Sequence, residues 1–137
     1  MARSILAIVV GFLVIGGLVG VTDLAMHSLF VGRYAPNGGV TDPLLLIITE
    51  FYVFVYATAG CWLCARIAGR RPMFHALVLG VLGLIFNVVG SSMTWQLYPA
   101  WYHIVALILV MPAAWLGGRI AERQLEGRLA PLAGAAA

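Results

Sequence analysis

Two acids and two histidines lie inside stretches that carry almost no other charge: Asp23 and His27, four residues apart, then Glu50 and His103, with Asn87 as a further polar group. Positions i and i+4 share a helix face, so Asp23 and His27 could form an ion pair or bind one cation together. Adding Glu50 and His103 gives a mixed oxygen and nitrogen set acceptable to zinc, manganese or iron. His27 and His103 could alternatively ligate a haem axially. Without any metal, Asp23, His27, Glu50, Asn87 and His103 make a candidate proton or cation site. The plainest reading of the same residues is a structural polar cluster that meets interfacial water or hydrogen-bonds between helices. No recognised metal spacing such as H-E-x-x-H occurs, and no cofactor is expected.

A second pair with chemical potential is Cys61 and Cys64 in "CWLCARIAGRR". The C-x-x-C spacing could serve redox or metal chemistry, but a comparison within the chain points elsewhere. "WLCARIAGR" at 62–70 and "WLGGRIAER" at 115–123 share Trp, Leu, Arg, Ile, Ala and Arg at matching positions, which reads as an internal repeat. In that alignment Cys61 and Cys64 fall on Ala114 and Gly117, positions asking for small side chains where helices approach closely. Trp62 and Trp115, with Arg66, Arg70, Arg71, Arg119 and Arg123, read as anchors at one membrane boundary, the arginines reaching for lipid phosphates. Ser91, Ser92 and Gln96 have no assigned base beside them and read as helix-end hydrogen bonders. "GGLVG" follows no strand and is no phosphate loop.

The elements that position these groups follow from composition. With 63% hydrophobic and 9% charged residues in 137, against roughly 25% charged in soluble domains, the chain cannot coat a water-soluble globule. Four apolar segments, about 5–31, 43–68, 73–96 and 99–121, each reach the ~20 residues that cross hydrocarbon as a helix. Lipid offers no partner to an unpaired peptide group, so continuous helices are expected. The first segment is longer than the ~7–15 residues of a signal-peptide core and lacks a clean cleavage site, and is read as a retained helix. Asp42 before Pro43 marks a helix start, as do Pro72 and Pro99; Pro112 should kink the fourth helix. The expected organisation is a four-helix domain over 1–124, then a low-complexity cytoplasmic tail over 125–137.

Arginine placement gives an orientation. Arg3, Arg66, Arg70, Arg71, Arg119, Arg123 and Arg128 fall on one side and only Arg33 on the other, which predicts cytoplasmic termini. The arginines form no stripe interleaved with exposed aromatics, so nucleic acid is not an expected partner. The expected partners are the lipid bilayer, a second copy of the chain or another membrane protein. Small or polar stripes predict the faces that meet: Gly16, Gly20, Asp23, His27 on the first helix; Glu50, Ala57, Cys61, Cys64 on the second; Ala76, Gly80, Gly83, Asn87, Gly90, Thr94 on the third; His103, Ala106, Val110, Ala113, Gly117 on the fourth. At about 1.5 Å per residue from the arginine-rich boundary, Asp23 lies roughly 27 Å away, Glu50 and His103 roughly 24 Å, and Asn87 roughly 21 Å. The ionisable groups are therefore expected in one layer. A lone carboxylate at the bilayer centre costs about 2.5–3.5 kcal/mol, so such groups pair or meet water.

"ARIAGRRPMFHALVLGVLG", "PAWYHIVALIL" and "WLGGRIAER" together resemble a group of uncharacterised small four-helix membrane proteins of GC-rich bacteria. The resemblance implies a bacterial inner-membrane location and no activity. The sequence thus predicts an all-α multi-pass protein of the bacterial cytoplasmic membrane, an antiparallel bundle of four transmembrane helices built as two parallel-repeat hairpins. Its expected role is structural or accessory and non-enzymatic. A proton- or cation-coupled transporter or channel component is the first alternative, and a metal- or haem-binding membrane protein the second.

Overall fold

A computed structural model describes the backbone of residues 2–134 and the side-chain surroundings of residues 3–127. Four helices follow one another: α1 (Ala2–Leu29), α2 (Pro43–Ala68), α3 (Pro72–Thr94) and α4 (Ala100–Gly134), with a short 3-10 turn at Val31–Arg33 and no strand among the described residues. All four are long and apolar enough to cross a membrane. The outward surface agrees: large apolar side chains such as Ile5, Leu13, Val21, Phe51, Ile85 and Ile108 are exposed along the helices, as lipid rather than water permits.

Helix ends are set locally. The Asp42 side chain accepts a hydrogen bond from the Leu44 amide (3.0 Å) and Pro43 takes the first helical position of α2, so one orphan donor is satisfied and the missing proline N–H costs nothing. Gly69, with φ of 72°, closes α2 through its N–H to the Ala65 carbonyl, and a left-handed Arg71 turns the chain into α3. Two boundaries differ from the sequence expectation. The first helix gives way at Leu29 to the 3-10 turn. The fourth passes Pro112 and residue 121 to reach Gly134, taking in most of the expected tail; Glu122 to Glu126 are strong helix formers with nothing to stop them. Residues 135–137 of that tail lie outside the described residues.

The helices pack with α2 in touch with all three others. Its broadest interface is with α4, and α3 also lies against α4, whereas α1 leans on α2 and meets α3 only sparsely. Arg3, the 69–71 turn and Gln124 share one end, as the Arg3 Nε bond to the Ile67 carbonyl (2.7 Å) and the Trp62 Nε1 and Arg66 Nη1 bonds to Gln124 Oε1 require. In that arginine-rich half the core is built from Ala7, Cys61, Cys64, Ala65, Ala76 and Ala114, with Leu79 the one large residue. Small side chains let backbones touch. A Cβ on Gly117 would overlap the Thr58 carbonyl oxygen and come within 2.8 Å of the Trp62 nitrogen; one on Gly60 would overlap Ile15.

The seam expected on α1 is corrected by this packing. Gly16 and Gly20 face open space, and Asp23 and His27 are exposed. The face in use is Ala7, Gly11 and Ile15, four residues apart. Helix α1 meets α3 through Gly11 against Leu79 and Phe12 against Phe86, while Gly16 and Gly20, nearer the loop end, have no neighbour. On the other helices much of the expected seam is buried: Glu50, Cys61 and Cys64 on α2, Ala76 and Gly80 on α3, His103, Ala113 and Gly117 on α4. Both cysteines are free thiols enclosed in the core.

A tyrosine-lined vestibule at the loop end

At the opposite end the loop after α1 folds back across the bundle. The Val40 amide donates to the Leu97 carbonyl (3.1 Å), tying this loop to the α3–α4 link. Gly39 must be glycine for that approach, since its Cβ would fall 2.8 Å from the same Leu97 oxygen. Arg33 Nη1 donates to Asp42 Oδ2 at 2.5 Å and closes the loop on itself. Val40, Leu45 and Leu46 form a small apolar core there, flanked by Met26, Tyr34, Tyr98 and Tyr102.

Between this loop and α1, α2 and α4 lies a cavity of about 380 Å³. Asp23, His27 and Thr49 line it together with four tyrosines, Tyr34, Tyr52, Tyr98 and Tyr102, and with the apolar Leu45 and Leu46 nearer the loop end. The Tyr52 hydroxyl donates to Asp23 Oδ1, and His27 packs edge-on against Tyr34 with centroids 4.4 Å apart. One turn deeper, Thr22 and Tyr56 share a hydrogen bond of 3.1 Å that locks α1 to α2. Burial, then the Asp23 carboxylate, push the Tyr34 and Tyr98 phenols above their ordinary pKa. Both stay neutral at physiological pH, and both sense the Asp23 charge.

The remaining candidates sit elsewhere. Glu50, only 8% exposed, lines a separate recess with Asn87, Ala106 and Val110 between α2, α3 and α4. His103, 2% exposed, lines a cavity of about 230 Å³ with Asn87, Ser91, Thr94, Tyr98 and Tyr102. Its ring stacks on Trp95, centroids 4.9 Å apart at 15°, and its Nε2 has no hydrogen-bond partner among the described residues. The expected single layer is thus divided into three recesses: Asp23 joins His27, Asn87 adjoins both Glu50 and His103, and Tyr98 and Tyr102 form the wall between the first cavity and the last. No group of three His, Cys, Asp or Glu among the described residues could hold a metal ion. His27 and His103 line different cavities, so the structure does not bring the proposed haem pair together.

At the arginine-rich end, Arg66 stacks over Trp62 at 5.4 Å and bonds Gln124, and Arg119 pairs with Glu122 at 3.0 Å. These two expected anchors therefore have protein partners as well as a surface position. Arg70, Arg71, Trp115 and Arg123 are exposed there. Sequence reasoning missed the tyrosines. A signal was available: Tyr34, Tyr52, Tyr98 and Tyr102 fall towards the loop end, Tyr56 lies at the middle of α2, and none is at the arginine-rich end, a distribution an aromatic belt also explains.

Against known protein families, curated proteins and solved structures, the chain finds no match.

The Arg33–Asp42 clamp has a testable pH range. The Arg33 hydrogen bond holds the Asp42 carboxyl below the usual carboxylate pKa. A lowered folded pKa means the clamp contributes fully above the unfolded value, about 3.9, and is lost only as pH falls through the lower folded value. The side-chain carboxyl carbon signal of Asp42 should hold its position from neutral pH to about 4 and titrate below it; a midpoint at or above the ordinary carboxylate value would rule the clamp out.

Proposed function

We propose that the chain is a non-enzymatic multi-pass protein of the bacterial cytoplasmic membrane, termini inside, that receives a cation in a vestibule open to the outer face. The orientation rests on the arginine asymmetry. One observation carries the binding reading: Asp23 sits on the wall of a sizeable cavity and makes no salt bridge among the described residues, since Arg33, the arginine of that end, is engaged by Asp42 and His27 shares the cavity without pairing with the acid. A carboxylate near a membrane surface that lacks an internal counter-ion attracts one from solution. The cavity volume falls within the ~300–1,000 Å³ typical of ligand sites. Below the vestibule the helices touch backbone to backbone, which favours a binding or accessory protein over an open pore.

The test is titration calorimetry of the purified protein in nonionic detergent with sodium, zinc and tetraethylammonium as separate probes. Asp23→Asn should weaken whichever cation binds by about tenfold or more, the equivalent of one ion contact of about 1.4 kcal/mol. Glu50→Gln should leave the affinity within about twofold, since Glu50 lines another recess and its loss removes no contact worth more than a few tenths of a kcal/mol. A larger effect of Glu50→Gln than of Asp23→Asn would move the site.

A further inference from the structure

An inorganic ion replaces its water with a tight shell of oxygens, six or more for calcium and near-octahedral for magnesium, or with three or four nitrogen, sulfur and oxygen ligands for zinc. Here one carboxylate stands in the cavity and no metal-holding triad exists among the described residues. The walls instead supply four phenol rings and, nearer the loop end than the acid, the apolar side chains of Leu45 and Leu46.

That combination suits a cation whose charge is spread over carbon. An alkylated ammonium cannot donate enough hydrogen bonds to need a polar shell, and it is held by aromatic rings and one opposite charge. Two of the rings are neighbours, Tyr98 and Tyr102 at 5.2 Å, and Tyr52 bonds Asp23. Tyrosine is uncharged at physiological pH with its ordinary pKa of about 10, and burial and the acid raise Tyr34 and Tyr98 further, so their rings keep the quadrupole that attracts a cation. Tyr34 comes from the loop that Arg33 and Asp42 clamp, so this wall depends on the clamp.

We infer that the ligand of the vestibule is a carbon-substituted ammonium, its charge beside Asp23 and its alkyl groups against Tyr34, Tyr98, Tyr102 and the Leu45 and Leu46 side chains on the loop side of the acid. The inference rests on the cation-binding reading above. In the same calorimetry, tetraethylammonium should bind saturably, and binding should weaken by about tenfold or more in Asp23→Asn and in Tyr98→Leu while Tyr98→Phe stays within about threefold, because the ring rather than the hydroxyl makes the contact. Thermal melts of each variant in detergent accompany the titrations. If Asp23→Asn fails to fold, the Leu and Phe variants at Tyr98 decide: equal affinities in the two would overturn the proposal. Sodium or zinc binding that depends on Asp23, with none for tetraethylammonium, would overturn the ammonium assignment and leave the cation site standing. No binding of any probe, or tetraethylammonium binding indifferent to Asp23, would overturn both.

Discussion

Gly117→Val should unfold the bundle at a markedly lower denaturant concentration than the unsubstituted chain. The new Cβ meets backbone, the Thr58 carbonyl and the Trp62 nitrogen, as well as the Cys61 Cβ at 2.9 Å. A flexible side chain could rotate away from such an intrusion; a helix backbone can only translate. Helices α2 and α4 share the broadest interface in the molecule, so moving them apart loses contacts along the whole seam. Hydrophobic driving force does not oppose that separation in lipid, where close packing and interhelical hydrogen bonds hold helices together. Overpacking costs about 1–3 kcal/mol, occasionally more, and this site belongs at or above the upper figure. Gly20→Ala is the matched control: a Cβ there meets nothing within 4 Å, and the better helix former should be neutral or favourable by up to about 1 kcal/mol. SDS titration followed by helical circular dichroism would measure both. Equal midpoints for the two variants would mean that α2 and α4 do not meet at Gly117.

The second large effect concerns His103. Truncation to alanine removes a ring that is buried, stacked on Trp95 and in edge contact with Tyr98 and Tyr102. Large-to-small changes of a buried ring cost about 3–5 kcal/mol where the site cannot collapse. His103→Phe keeps the ring and removes Nε2, the polar atom left without a partner. A buried unsatisfied polar group costs about 1–3 kcal/mol, so the phenylalanine variant should match or exceed the parent while the alanine variant loses heavily. The same SDS titration distinguishes them. A phenylalanine variant as unstable as the alanine one would show that Nε2 has a partner the fold needs, such as a bound water.

Particular residues show how far the sequence could be read. Asp42, Pro43, Pro72 and Pro99 mark helix starts by rules that act within a few residues, and α2 begins at Pro43, α3 at Pro72 and α4 directly after Pro99. The pairing of Cys61 and Cys64 with Ala114 and Gly117 pointed to close packing, and the thiols are buried where α1, α3 and α4 approach α2. The end of α4 was misjudged because a fall in hydropathy after residue 121 marks where lipid stops, and a helix of good formers continues into water regardless. The candidate site was legible only in part. Counting rise per residue placed Asp23, Glu50, Asn87 and His103 at similar heights, but height says nothing of azimuth. Glu50 and Asp23 turn to different recesses, and Tyr52, two residues after Glu50, is the one that reaches Asp23.

Composition and local rules alone determined the solvent, the number of spans, most of their limits and the clustering of arginine at one end, because each depends on transfer of a segment into lipid or on a cap spanning a turn. Tertiary structure alone decided which stripe of α1 is buried, which helices neighbour one another and how the polar groups are shared among recesses. The physical reason is that lipid and protein interior are almost equally apolar. A helix immersed in both carries little sign of which side faces which, and its rotation is chosen by contacts between backbones and rings.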